Sequence, residues 1–253
     1  MSISQLIKDF PAVQRLRRLV SQNATTGAFE VGGEVIGATY SVDTWTELQA
    51  IPQTLANNDL MVLVTGIGVN GSIWRYNHTA GAWKNPYPVL MYSSTFGTIA
   101  SPTVQVGVGI TAATKYDVGT DPTIPAGMLS ATARLRVEAE FNRSAAVNAT
   151  AIQRIYLGTA GLNTDSAIYA ATISATASHY LPAAPRVSFT GSASLYSTNG
   201  LATGAGSSVA SAPVNASTQL DRAAAMYISC YCDTKHTDDV FSLLRLSVML
   251  DAA

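Results

Sequence analysis

The stretch Ala133–Asn142, ARLRVEAEFN, constrains the fold more than any other part of the chain. Ala133, Leu135, Val137, Ala139 and Phe141 alternate with Arg134, Arg136, Glu138 and Glu140. Only an extended strand sorts these two sets onto opposite faces, because its side chains repeat every two residues. One face must be buried and the other wet, so the strand needs partners. The downstream sequence supplies them in AIQRIYLG, AIYAATISA, PRVSFTGSASLY, AAAMYISCYC and VFSLLRLSVML, separated by clusters of Gly, Pro, Asn and Ser. Strands of this number and spacing predict an antiparallel β-sandwich, a jelly roll, over residues 101–253. In the last of them Leu244, Leu246, Val248 and Leu250 oppose Phe241, Leu243 and Met249. It therefore reads as a central strand covered on both faces, with a neighbouring subunit as one source of cover.

Residues 28–100 read as a smaller β domain, joined to the sandwich near Ser94–Pro102. LMVLVTGIG is a short apolar run between turns, and SIWRYN, HTAG and AWKN follow as strand, loop and strand. Trp74, Tyr76 and Trp83 then fall close together. They either form the core of a small sheet or, with His78, present rings to a glycan; packing is the expected role. TWTELQAI ahead of them suits a short helical or turn segment.

Residues 1–27 differ in period. Ile3, Leu6, Ile7, Phe10, Val13, Leu16, Leu19 and Val20 recur at three- and four-residue spacing, the stripe of an amphipathic helix running from Ser2 to about Gln22. Asp9 is placed to cap a second helical piece with Pro11 in its first turn, and Arg15, Arg17 and Arg18 sit where cations suit the helix dipole. A basic amphipathic helix also fits a membrane surface. Docking on a partner or on its own domain is the preferred reading, with Ile3, Leu6, Ile7, Phe10, Val13 and Leu16 as contacts.

Charged residues make up 12% of the chain and the formal net charge is −1. No basic block offers a nucleic-acid footprint, and no apolar run reaches the roughly 18 residues a membrane span needs. Lys8 and Asp9 interrupt any signal-peptide core, so no secretory leader is expected. Without one, the six Asn-X-Ser/Thr sequons, Asn77 and Asn148 among them, carry little weight. Cys230 and Cys232 lie two apart on one strand face, which disfavours a disulfide between them. With His236 they lack the further ligands of a metal site, so two buried, reduced thiols are expected.

No phosphate loop, nucleophile elbow or zinc helix occurs. GAGSS at 204–208 lacks the following Lys and reads as a surface turn. Asp238 and Asp239 point to opposite faces and suit a solvated turn. His78, His179 and His236 are scattered among turns, none beside a nucleophile. Neither an enzyme nor a cofactor is expected.

TIPAGMLSATARLRVEAEFN followed by AIQRIYLGTAG resembles a jelly-roll module of tailed-bacteriophage virion proteins. Ile124-Pro125-Ala126-Gly127 and Leu157-Gly158-Thr159 match its pattern, although the second Gly of the latter motif is missing. LMVLVTGIG and GSIWRYNHTAGAW are similar to small β modules of phage fibre and head-fibre proteins. The resemblance implies a homotrimer, tumour-necrosis-factor-like in its C-terminal half, made in the bacterial cytoplasm and carried on the virion surface. It implies a head or tail fibre, or a surface decoration, held to another virion protein by the N-terminus. A receptor- or carbohydrate-binding module of a tail fibre is the alternative, with a host surface glycan as partner at Trp74, Tyr76 and Trp83. A polysaccharide depolymerase is the remote one.

Overall fold

The computed structural model describes residues 20–22, 29–31, 40–106, 113–143, 151–173, 180–189, 195–198, 207–209, 220–234 and 240–252. They fall in two compact units, Met1–Tyr87 and Pro88–Ala253. In the first, β1 (Val20–Gln22) pairs antiparallel with β2 (Phe29–Val31). The apolar contacts expected at Ile3 through Leu16 lie outside the described residues. The expected helix does not extend to Gln22, however. Val20 pairs with Val31, and a β-branched residue suits a strand whose backbone groups find partners there.

The rest of this unit is a four-stranded sheet. Its strands run in chain order: β3 (Tyr40–Val42), β4 (Met61–Val64), β5 (Ser72–Asn77) and β6 (Ala82–Lys84). β3 and β4 are parallel, and the crossover between them carries helix α1 (Trp45–Ala50). A capping box starts that helix. Thr44 Oγ1 accepts from the Glu47 amide, and the Glu47 carboxylate accepts from the Thr44 amide. β5 and β6 form the expected hairpin, pairing Tyr76 with Trp83. Alternation puts Trp74 and Tyr76 on one face of β5, where they meet Val62 and Trp83 across the strands. Trp45 from α1 closes the core edge-on to Trp74, with ring centroids 4.7 Å apart.

The second unit is a sandwich of two antiparallel sheets. One contains β7 (Val89–Thr95), β8 (Val104–Val106), β11 (Arg134–Arg143), β14 (Tyr180–Ala183), β15 (Arg186–Phe189), β16 (Leu195–Thr198) and β19 (Phe241–Ala252). The other contains β9 (Thr114–Lys115), β10 (Thr123–Ile124), β12 (Ala151–Gly158), β13 (Ser166–Ile173), β17 (Ser207–Val209) and β18 (Met226–Thr234). The chain passes repeatedly between sheets, and the orders β7-β19-β11-β15 and β10-β18-β12-β13 are those of a jelly roll. The expected alternation in β11 holds: Ala133, Leu135, Val137, Ala139 and Phe141 are all buried. The two sheets meet where Phe141 packs on Tyr116, ring centroids 5.6 Å apart.

Three details differ from the sequence reading. β7, expected in the smaller domain, pairs with β19 from Val89↔Leu250 to Thr95↔Arg245, so the units divide between Tyr87 and Pro88. β19 is central as expected, lying between β11 on one side and β7 and β8 on the other. Its two apolar sets nevertheless fall mostly on one face, with Met249, opposite Arg136, left on the other. Glu140 sits opposite Arg245 but Phe141 opposite Leu243, so Leu244 is a bulge that shifts the phase of alternation. Phe241 and Leu243 thereby join Leu246, Val248 and Leu250 inside the sandwich, all fully buried. Finally, Ser207 and Ser208 of the expected GAGSS turn pair with Ile173 and Thr172 as part of an edge strand.

Both cysteines are buried and form no disulfide. Cys232 belongs to a polar thread through the core. The Tyr116 hydroxyl donates to Gln153 Oε1 at 2.8 Å, and Gln153 Nε2 donates to Cys232 Sγ at 3.2 Å. Burial pushes the Cys230 thiol and the Tyr116 phenol well above their ordinary values of 9.0 and 10.0. Both groups stay protonated when folded and ionise in the unfolded chain, so their contribution to stability is complete below pH 9 and falls as pH rises. Above pH 9 for the thiol and pH 10 for the phenol, each is expected to remove up to about 1.4 kcal/mol per pH unit. Urea midpoints measured from pH 7 to 11 should stay flat and then decline. A midpoint that rises above pH 9 would contradict the assignment.

Candidate functional site

Inward-pointing Ile228, Cys230 and Cys232 leave Tyr227, Ser229 and Tyr231 of β18 on the outer side of its sheet. β9 adds Lys115 opposite Tyr231. The loop between β12 and β13 folds back over this face and is held by Asp165, itself 6% exposed. Its carboxylate accepts from the Ala160 amide at 3.3 Å and the Leu162 amide at 3.2 Å. The Asn163 backbone N–H reaches the Tyr231 phenol, and Tyr156 meets the same ring edge-on. Burial, outweighing the pull of Lys115, raises the phenol of Tyr231 above its ordinary value.

This arrangement explains Gly158 of the Leu157-Gly158-Thr159 motif. A Cβ there would lie 2.4 Å from the Asp165 carboxyl, so any side chain expels the group that ties the loop down. Gly158→Ala is expected to cost about 2–3 kcal/mol in urea unfolding. In the Asp165→Gly background, which removes the Cβ at 2.6 Å as well as the carboxyl, the same change should cost much less. Equal costs in both backgrounds would remove the explanation. The Pro125-Ala126-Gly127 motif has its own cause. The Met128 amide closes a turn onto the Pro125 carbonyl at 3.2 Å, with Gly127 at φ +71°, as a type II turn requires.

Beside the loop lies a cleft of about 370 Å³ lined by Lys115, Asp117, Thr120, Asp121, Gly161 and Tyr227, among others. Lys115 Nζ forms an ion pair with Asp121 and donates to the Gly161 carbonyl at 3.1 Å, joining the two walls. Asp117 Oδ1 accepts from the Gly119 amide at 2.9 Å and shapes the rim. Sequence reasoning passed over these residues. Gly161 and the turn-rich DVGTDP were visible, but the pairing of β9 with β18 that gathers them is long-range.

The residues singled out from sequence lie elsewhere. Trp74, Tyr76 and Trp83 are 0%, 1% and 5% exposed, so they offer no open ring face to a glycan. The Trp74 indole donates instead to Ser72 Oγ at 2.8 Å. His78 is exposed and its ring packs near Tyr76, while His179, His236, Asp238 and Asp239 lie outside the described residues. Among the described residues, no three His, Cys, Asp or Glu side chains group to hold a metal ion, and no helix is long and apolar enough to cross a membrane.

No protein-family model matches the chain, and no curated protein matches it. Among solved structures, it is similar to the CBM2 module of an evolved Dit of Lactobacillus casei BL23 phage J-1. The identity is 10% and the TM-score 0.32, over 65% of this chain and 97% of that one.

Proposed function

We propose that this chain is a non-catalytic structural protein of a tailed-phage virion. It forms a homotrimeric fibre or surface decoration, displayed outward and anchored through residues 1–27. The observation that carries this reading is where the jelly roll uses the motifs that resemble virion modules. Ile124-Pro125-Ala126-Gly127 makes the turn that follows β10, and Leu157-Gly158-Thr159 ends β12 where Asp165 locks the loop. Both motifs are needed by the geometry at the places the resemblance assigns them.

Immunogold labelling of purified particles tests the placement. Label is expected on the particle surface, and particles free of the protein would overturn the reading. Light scattering of the purified protein should give three times 26.5 kDa. A monomer at micromolar concentration would remove the trimer. Release of reducing sugar from host polysaccharide would replace the structural role with a depolymerase.

A further inference from the structure

We propose that the cleft between β9, β18 and the Asp165-locked loop is a binding site for a neutral, polyhydroxylated ligand, the end of a surface glycan. The chemistry stands on the cleft alone; only the source of the glycan rests on the virion reading. Its volume of about 370 Å³ lies at the small end of ligand pockets, room for a short sugar segment.

Its polar groups keep unused capacity. The Tyr227 hydroxyl makes no hydrogen bond to any described residue. Asp117 has one oxygen engaged by Gly119, and Asp121 has one engaged by Lys115, leaving an acceptor oxygen on each. Lys115 uses two of its three donors, on Asp121 and Gly161. Two carboxylate acceptors, an ammonium donor and a phenol ring in one recess match vicinal hydroxyls beside the apolar face of a sugar ring.

Gly161 supplies an independent observation. It holds φ +65°, and a Cβ there would stand 3.1 Å from Asp121 Oδ2 and 3.5–3.6 Å from Tyr227 Cβ and Cγ. The absence of a side chain keeps the Tyr227 ring uncovered, as expected where a ligand approaches the backbone closely. Asp117 and Asp121 against Lys115 leave an excess of one negative charge, which selects against sialic acid and phosphate.

The full-length protein is titrated by calorimetry with glucose, galactose, rhamnose and N-acetylglucosamine, and with sialic acid and inorganic phosphate. At least one neutral sugar is expected to bind in the millimolar range, with no binding of the two anions. Tyr227→Ala should weaken that binding roughly tenfold. Asp117→Asn and Tyr227→Phe, which keep side-chain volume and are checked for unchanged melting, should each weaken it severalfold. Binding confined to the anions, binding of no neutral sugar, or full affinity in the folded variants would each overturn the proposal. Particle labelling of Tyr227→Ala separates this from the virion reading. The variant should still reach the particle surface, whereas failure of the wild-type protein to do so overturns only the virion reading.

Discussion

Replacing Phe141 by alanine is expected to destabilise the sandwich by about 3–5 kcal/mol, a large part of a typical domain's total. The ring is fully buried at the meeting point of the two sheets, packed on Tyr116 and set opposite Leu243 across the strand pair. The surrounding strands are fixed by ladders on both sides of β11 and cannot collapse into the vacated space. Removing the ring also strips cover from Tyr116, whose hydroxyl anchors the thread to Gln153 and Cys232. A melting point lower by roughly 10 °C or more follows. Phe141→Leu should recover most of the loss. Arg134→Ala, on the exposed face of the same strand, should stay within about 0.5 kcal/mol of wild type. A cost below about 1 kcal/mol for Phe141→Ala would mean that the two sheets are not held together here.

Deleting residues 2–19 is expected to abolish incorporation into particles while leaving the melting temperature of the β units unchanged. Ile3, Leu6, Ile7, Phe10, Val13 and Leu16 together bury apolar surface worth roughly 1.5–3 kcal/mol each before ordering costs, if docked. The helix expected from the sequence would be marginal alone in water, so the proposed docking is what would order it. In the proposed trimer three copies would act together, and a loss of about a hundredfold or more in particle-bound protein is expected. The cut stops at Leu19 because Val20–Gln22 pairs with Phe29–Val31, and removing β1 would leave β2 without its partner. Quantitative blotting of purified particles reads the result. Deleted protein that still loads at wild-type level would end the docking role, and a lowered melting temperature would make the segment a cap on its own trimer.

What was legible in the sequence was local. The strand Ala133–Asn142, the hairpin around Trp74 and Trp83 and the helical stretch at Trp45 carry their period or turn chemistry within a few residues. The misreadings came from information held by a distant partner. Phe241 and Leu243 look like a second apolar face until the register with Phe141 reveals Leu244 as a bulge. Val89–Thr95 reads as part of the nearer domain until it is seen beside β19. The cleft was illegible for the same reason, because Lys115 and Tyr227 come together only through strand pairing across most of the jelly roll. Gly158 and Gly161 carried the remaining signal. Gly158 marks a spot where Asp165 comes too close for a side chain, and Gly161 one whose φ of +65° other residues rarely adopt.

The central place of β19 also sets an order of events during translation. β7 and β11 wait for their shared neighbour until the ribosome has made Phe241–Ala252, the last strand of the sandwich to emerge. Between Thr95 and its partner Arg245 that delay is on the order of ten seconds at ordinary elongation rates. During it, two strand edges with apolar inner faces stand open beside other nascent chains on the same message. Exchange of β19 between neighbouring copies would compete with closure in that interval, and slower elongation would prolong the competition.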